Sequence, residues 1–90
     1  MNRPAKDRPE WWDWEIELTP PLLKRMLDRG FSEVDLRLML TDASEYAPSS
    51  SPHRFILQCE HLSEVWEVVV EPDETDEVLL VITAYRKDQQ

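Results

Sequence analysis

From Trp11 to Leu18, the residues Trp12, Trp14, Ile16 and Leu18 alternate with Trp11, Asp13, Glu15 and Glu17. A period of two is that of a strand with one buried and one wet face, so the pattern predicts a first β-strand here. The period then changes. Leu22, Leu23, Met26 and Leu27 recur at helical spacing, Thr19 can cap the helix, Pro20 suits its first position, and Gly30 supplies a left-handed stop. This predicts a helix over 20–29, with Arg25 and Arg29 four residues apart on one face at the margin of the apolar stripe. Ser32 opens a second helix, with Asp35 three positions on as a weak variant of the capping box and Phe31 placed to staple onto Leu36. Val34, Leu36, Leu38, Met39, Leu40 and Ala43 predict that this helix is buried on more than one side and ends before Pro48.

Residues 47–52, APSSSP, form a polar loop bounded by prolines. Three strand-like runs follow at 54–60, 65–71 and 78–85, the last apolar on both faces and therefore expected inside the sheet. Short connections make them antiparallel neighbours. The expected fold is α+β: a strand, two helices, then a three-stranded antiparallel meander with the helices on one sheet face.

Ninety residues at 41% hydrophobic content build one core, assigned to 11–87, with 1–10 expected as a disordered tail and 88–90 as a C-terminal tail. The net charge of −9 repels nucleic acid at long range and favours a basic partner, so any nucleic-acid site must be a local patch. A single cysteine, Cys59, excludes an intramolecular disulfide and fits buried packing in a reducing cytosol. No apolar run approaches the roughly 20 residues of a membrane helix, and MNRPAKDRPE lacks a signal peptide's apolar centre, so a soluble cytoplasmic protein with no membrane contact is expected.

The acidic stretch EPDETDE at 71–77 lacks the ligand spacing and glycine of an EF-hand, which makes it a solvated hairpin loop. No metal or other cofactor is expected. The tryptophans at 11, 12 and 14 have acids but no Lys or Arg beside them on their strand. Base stacking is therefore disfavoured; Trp12 and Trp14 are expected in the core and Trp11 exposed at a homodimer contact.

The helical segment also carries a longer pattern. Arg25, Met26, Arg29, Gly30, Phe31 and Ser32 fall on the series His-x-x-x-Arg-Met-x-x-Arg-Gly-(aromatic or aliphatic)-Ser, and WEVVVEPD at 66–73 and VITAY at 81–85 follow in order. On these residues the chain resembles, from about Trp14 to Arg86, small bacterial domains grouped with the BrnT and RelE-like toxin ribonucleases. The resemblance implies a RelE/barnase-like fold and a metal-independent RNA cleavage in which the RNA's own 2′-hydroxyl attacks the adjacent phosphate. It implies RNA as substrate and an antitoxin or other protein as partner. Arg25 or Arg29 would then offset phosphate charge through a forked guanidinium, and Thr83 and Tyr85, two apart on one strand face, would donate to the same phosphate. Arg54 and Lys24 would contact the RNA backbone.

Where that pattern begins with histidine, this chain has Pro21. Proline cannot titrate, so either the proton-transfer role has moved, with His53 beside Arg54 as the substitute, or the chain is a non-catalytic, protein-binding or regulatory member of the fold.

Overall fold

Thr19 closes the first strand and opens the first helix. Its hydroxyl donates to Val81 O at 2.8 Å and accepts from Leu22 N at 3.4 Å, so one side chain ties strand, helix and sheet together. In the computed structural model, which describes residues 9–87, the elements are β1 (Glu15–Leu18), α1 (Pro20–Arg29), α2 (Glu33–Asp42), β2 (Glu45–Pro48), β3 (Phe55–His61), β4 (Glu64–Asp73) and β5 (Val78–Arg86). The expected tail at 88–90, and nearly all of that at 1–10, lie outside the described residues.

The strands form one sheet in the order β1-β5-β4-β3-β2. Consecutive antiparallel pairing of β3, β4 and β5 is present, but a three-stranded meander is too small a description: β1 lies parallel beside β5 and β2 antiparallel beside β3, giving a five-stranded mixed sheet. β5 is interior, as its apolar faces predict, while β4 takes the centre. β2 falls partly in the segment read as a loop. It spans only four residues, of which Tyr46 alone is half-buried, and its Pro48 sits where an edge strand tolerates a missing donor.

β1 starts later than the alternation suggested. Residues Glu10–Asp13 form a 3-10 turn, with Trp12 N donating to Pro9 O and Trp14 N to Trp11 O, both at 3.1 Å. The turn carries Trp11 inward, where it is buried, lies 5.8 Å from the parallel ring of Trp12 and 5.0 Å from Phe55, and meets Tyr46 edge-on. Trp11 is therefore buried in the fold, where the alternation suggested an exposed position.

α1 begins and ends on the residues its caps predict, and α2 begins on its predicted cap and ends at Asp42, one residue short of Ala43. Gly30 adopts φ 69° and its N–H, like that of Phe31, returns to Met26 O. The Ser32 and Asp35 pair is a complete capping box, each side chain bonded to the other's backbone N–H. The helices bury less than expected. α1 buries Leu22 and partly Met26 while Leu27 stays 87% exposed, and α2 buries Leu36 and Met39 while Val34 and Leu38 face solvent. In a two-layer domain the outer side of the helical layer has no neighbour, so an amphipathic face is all that packing requires.

The buried strand residues, Leu57 and Cys59 on β3, Trp66, Val68 and Val70 on β4, and Leu79, Val81 and Ala84 on β5, cluster with Leu22, Phe31, Leu36 and Met39. Alternation therefore puts both helices on one sheet face. On β5 the regular step of two is broken: Val70 pairs with Val81 but Val69 with Thr83, leaving Ile82 as the extra residue of a bulge. The bulge keeps Ala84 inward after Val81 and turns Thr83 and Tyr85 to the opposite face. No described element covers that opposite face. Across it run three rows: Ala47, Ile56, Val69, Thr83; on one side Glu45, Gln58, Glu67, Tyr85; on the other Glu71, Leu80, Glu17.

Candidate functional site

β1 pairs with β5 only as far as Leu18 opposite Val81, so the last five residues of β5 have no strand on that side. An unpaired sheet edge leaves backbone groups in need of partners. Arg29, in the last turn of α1, supplies one. Its Nη1 donates to Ala84 O at 2.8 Å and approaches Thr83 Oγ1 at 3.5 Å. The Nε and Nη2 donors of the same guanidinium make none of the hydrogen bonds formed among the described residues, which leaves one edge of the fork available.

Tyr85 stands beside this group on the same face as Thr83. Its register partner on β4 is Glu67. Burial raises the phenol's pKa above its usual value, a hydrogen bond to the Glu67 carboxylate and that group's charge raise it further, and the Arg29 cation pulls it partly back. Arg29, Thr83 and Tyr85 are thus brought together, and Glu67 joins them. Glu67 was not singled out from sequence. Its only signal was its place in the alternation of WEVVVEPD, and cross-strand register is what sets it opposite Tyr85.

The remaining candidates lie elsewhere. Arg25 is exposed one helical turn before Arg29 and pairs with Asp28 at 3.7 Å, and Lys24 is exposed on α1. His53 is exposed in the turn before β3 at φ 67°, and Arg54 Nε donates to Glu71 at 2.9 Å. Glu71 is four residues from Glu67 along β4, about 13 Å at strand spacing, so neither His53 nor Arg54 joins the Arg29 group. His53 therefore cannot stand in for the missing histidine there. Position 21 is also remote: Pro21 is exposed in the first turn of α1, about 12 Å along the helix axis from Arg29.

The other titratable groups have structural work. His61 Nε2 lies 3.2 Å from Asp35 Oδ1 and meets the Trp66 ring edge-on, joining the end of β3 to the start of α2. The Cys59 thiol donates to Trp66 O at 3.8 Å, and burial, helped by the charge of Asp42, pushes its pKa up to about 12. A surface cavity of about 570 Å³ is lined by Trp11, His53, Phe55, Glu71, Pro72, Asp73, Glu74 and Leu80, at the end of the sheet that holds the β4–β5 hairpin. Among the described residues, no helix is long and apolar enough to cross a membrane.

These features define an α+β domain with two helices on one face of a five-stranded mixed sheet and a polar group gathered where the edge of β5 is unpaired. Residues 19–86 match the domain of unknown function DUF4258, and the chain belongs to that family. The matched stretch starts at the capping residue Thr19 and ends with β5, so it contains the whole Arg29 group. Comparisons with curated proteins and with solved structures return no match.

Proposed function

We propose that this domain is a RelE/BrnT-like, metal-independent endoribonuclease that engages one backbone phosphate of single-stranded RNA at Arg29. The observation that carries the reading is the guanidinium fixed to the sheet through Nη1 close to Thr83, with Nε and Nη2 making none of the hydrogen bonds among the described residues and with Tyr85 and Glu67 next along the same sheet face. A forked donor edge matches two phosphate oxygens. The resemblance to the toxin ribonucleases supports the same choice of substrate.

In this scheme Glu67 accepts the proton of the 2′-hydroxyl. The 2′-oxygen forms a bond to phosphorus as the bond from phosphorus to the 5′-oxygen breaks, and the leaving oxygen takes a proton from water. The products are a 2′,3′-cyclic phosphate and a 5′-hydroxyl. Arg29 offsets the charge gathering on the phosphoryl oxygens and Thr83 donates to them, while the Tyr85 hydroxyl donates to the Glu67 carboxylate and holds the base in place. No histidine is required, which accommodates Pro21.

The test is incubation of the full chain with an unstructured RNA oligonucleotide in chelator, with analysis of product ends. Cleavage leaving a cyclic phosphate is expected, falling by about a hundredfold or more in Arg29→Lys and Glu67→Gln. Absence of cleavage by the unaltered, folded chain would overturn the proposal.

A further inference from the structure

The uncovered sheet face has a charge pattern that extends well beyond the phosphate site and shares only Thr83 and Glu67 with it. Its middle row, Ala47, Ile56, Val69 and Thr83, runs across four strands and is mostly apolar. Three strand spacings make it about 14 Å long. The neighbouring rows, each about 7 Å away, are acidic at both margins, with Glu45 and Glu67 on one side and Glu71 and Glu17 on the other. Of these, Glu71 is paired with Arg54, Glu67 takes a hydrogen bond from Tyr85, and Lys87 Nζ rests on Gln58 between Glu45 and Glu67 at 3.3 Å, whereas Glu17 and Glu45 are exposed and make none of the ion pairs formed among the described residues. Glu15 and Glu60 extend the acidic margin on the same face.

An apolar stripe with negative charge on both flanks has a definite complement. A strand laid on the sheet would not match it, because the stripe runs across the strands. An α-helix about 10 Å wide, with an apolar seam and Lys or Arg on either side of it, would set its seam on Ile56 and Val69 and its cations over the two acidic rows. About three helical turns, some 16 Å, cover the stripe. We propose that this face docks a basic amphipathic helix of a partner protein, held by apolar contact in the middle and by charge at the margins. The net charge of −9 acts in the same sense by drawing a basic partner toward the domain.

The probe is a synthetic 14-residue helical peptide with leucines along one seam and lysines flanking it, titrated into the full chain by calorimetry, with backbone amide shifts recorded by NMR. Saturable binding is expected, with shifts on β3, β4 and β5. Affinity should weaken about tenfold in Glu17→Lys/Glu45→Lys and again in Val69→Lys, and should fall with added salt. The same peptide with glutamates in place of lysines should not bind. Arg29→Ala should leave peptide affinity within about twofold while removing RNA cleavage, so this proposal and the ribonuclease reading can fail separately. No binding, binding that survives all three substitutions, or shifts confined to the exposed Leu27, Val34 and Leu38 on the helices would overturn the proposal.

Discussion

Arg29→Ala removes the donor that satisfies the unpaired edge of β5. The bond lost is a guanidinium to carbonyl contact of 2.8 Å at Ala84; the approach to Thr83 at 3.5 Å is too long to count for much. Hydrogen bonds to charged groups contribute about 1.5–3 kcal/mol net. Truncating the half-buried Arg29 side chain opens the unpaired edge of β5 to water, which then satisfies part of what the carbonyl loses, so the lower part of that range applies, about 1.5–2 kcal/mol. For a domain of this size such a loss lowers Tm by roughly 5–15 °C. Urea and thermal melts followed by tryptophan fluorescence measure it directly, with an unchanged m-value showing that the unfolding reaction is the same. Arg25→Ala is the internal comparison, since its exposed pair with Asp28 at 3.7 Å is worth under about 0.5 kcal/mol. Equal stability of the two variants would refute the anchoring of Arg29 to β5.

Two further predictions concern charge. Cys59, pushed up to about 12 from 9.0, and Tyr85, raised above 10.0, are both held neutral by the fold. Their contribution is therefore full below the unfolded values and is lost as pH rises through the folded ones; the urea midpoint should hold to about pH 9 and fall between 9 and 12. In the same range of ideas, the native thiol should resist a disulfide reagent at pH 7.5 and react at once in denaturant; equal rates in the two states would contradict its burial. Asp35, whose pKa is lowered first by the Ser32 backbone N–H and then by the Ser32 hydroxyl, should stabilise the chain above its normal 3.8, with that contribution lost as pH falls through the lower folded value. Asp35→Ala should lower the unfolding midpoint at neutral pH in the same melts, and no change would show that the capping box is not holding α2.

The helices were legible because their signals are local: Thr19, Pro20, Gly30, Ser32 and Asp35 act on backbone groups within four residues of themselves. β3, β4 and β5 were legible from apolar runs. Features set by non-local pairing were not. β2 is too short and too exposed to show a period, and the alternation before β1 carried no sign that Trp11 would turn inward on a 3-10 turn. The bulge at Ile82 is the most consequential case. Read as a regular strand, Val81, Thr83 and Tyr85 share a face; the bulge sends Val81 into the core and the other two to the open side. Arg29 and Thr83 could be suspected as neighbours from their residue types, but the reason they meet is that β1 stops at Leu18. Glu67 was hidden for want of register, and His53 and Arg54 attracted notice through chemistry alone while the fold holds them at the hairpin end.

The central claim is that the free edge of the Arg29 guanidinium receives an RNA phosphate. The most direct measurement is the NMR signal of the Arg29 Nε–Hε group, assigned by its loss in Arg29→Lys, during titration with a short single-stranded RNA whose 2′-hydroxyls are methylated to prevent cleavage. The account predicts a saturable downfield shift of that signal, with the Arg54 Nε–Hε unmoved in its bond to Glu71. An Arg29 signal that stays fixed while the RNA binds elsewhere, or does not bind, would contradict it.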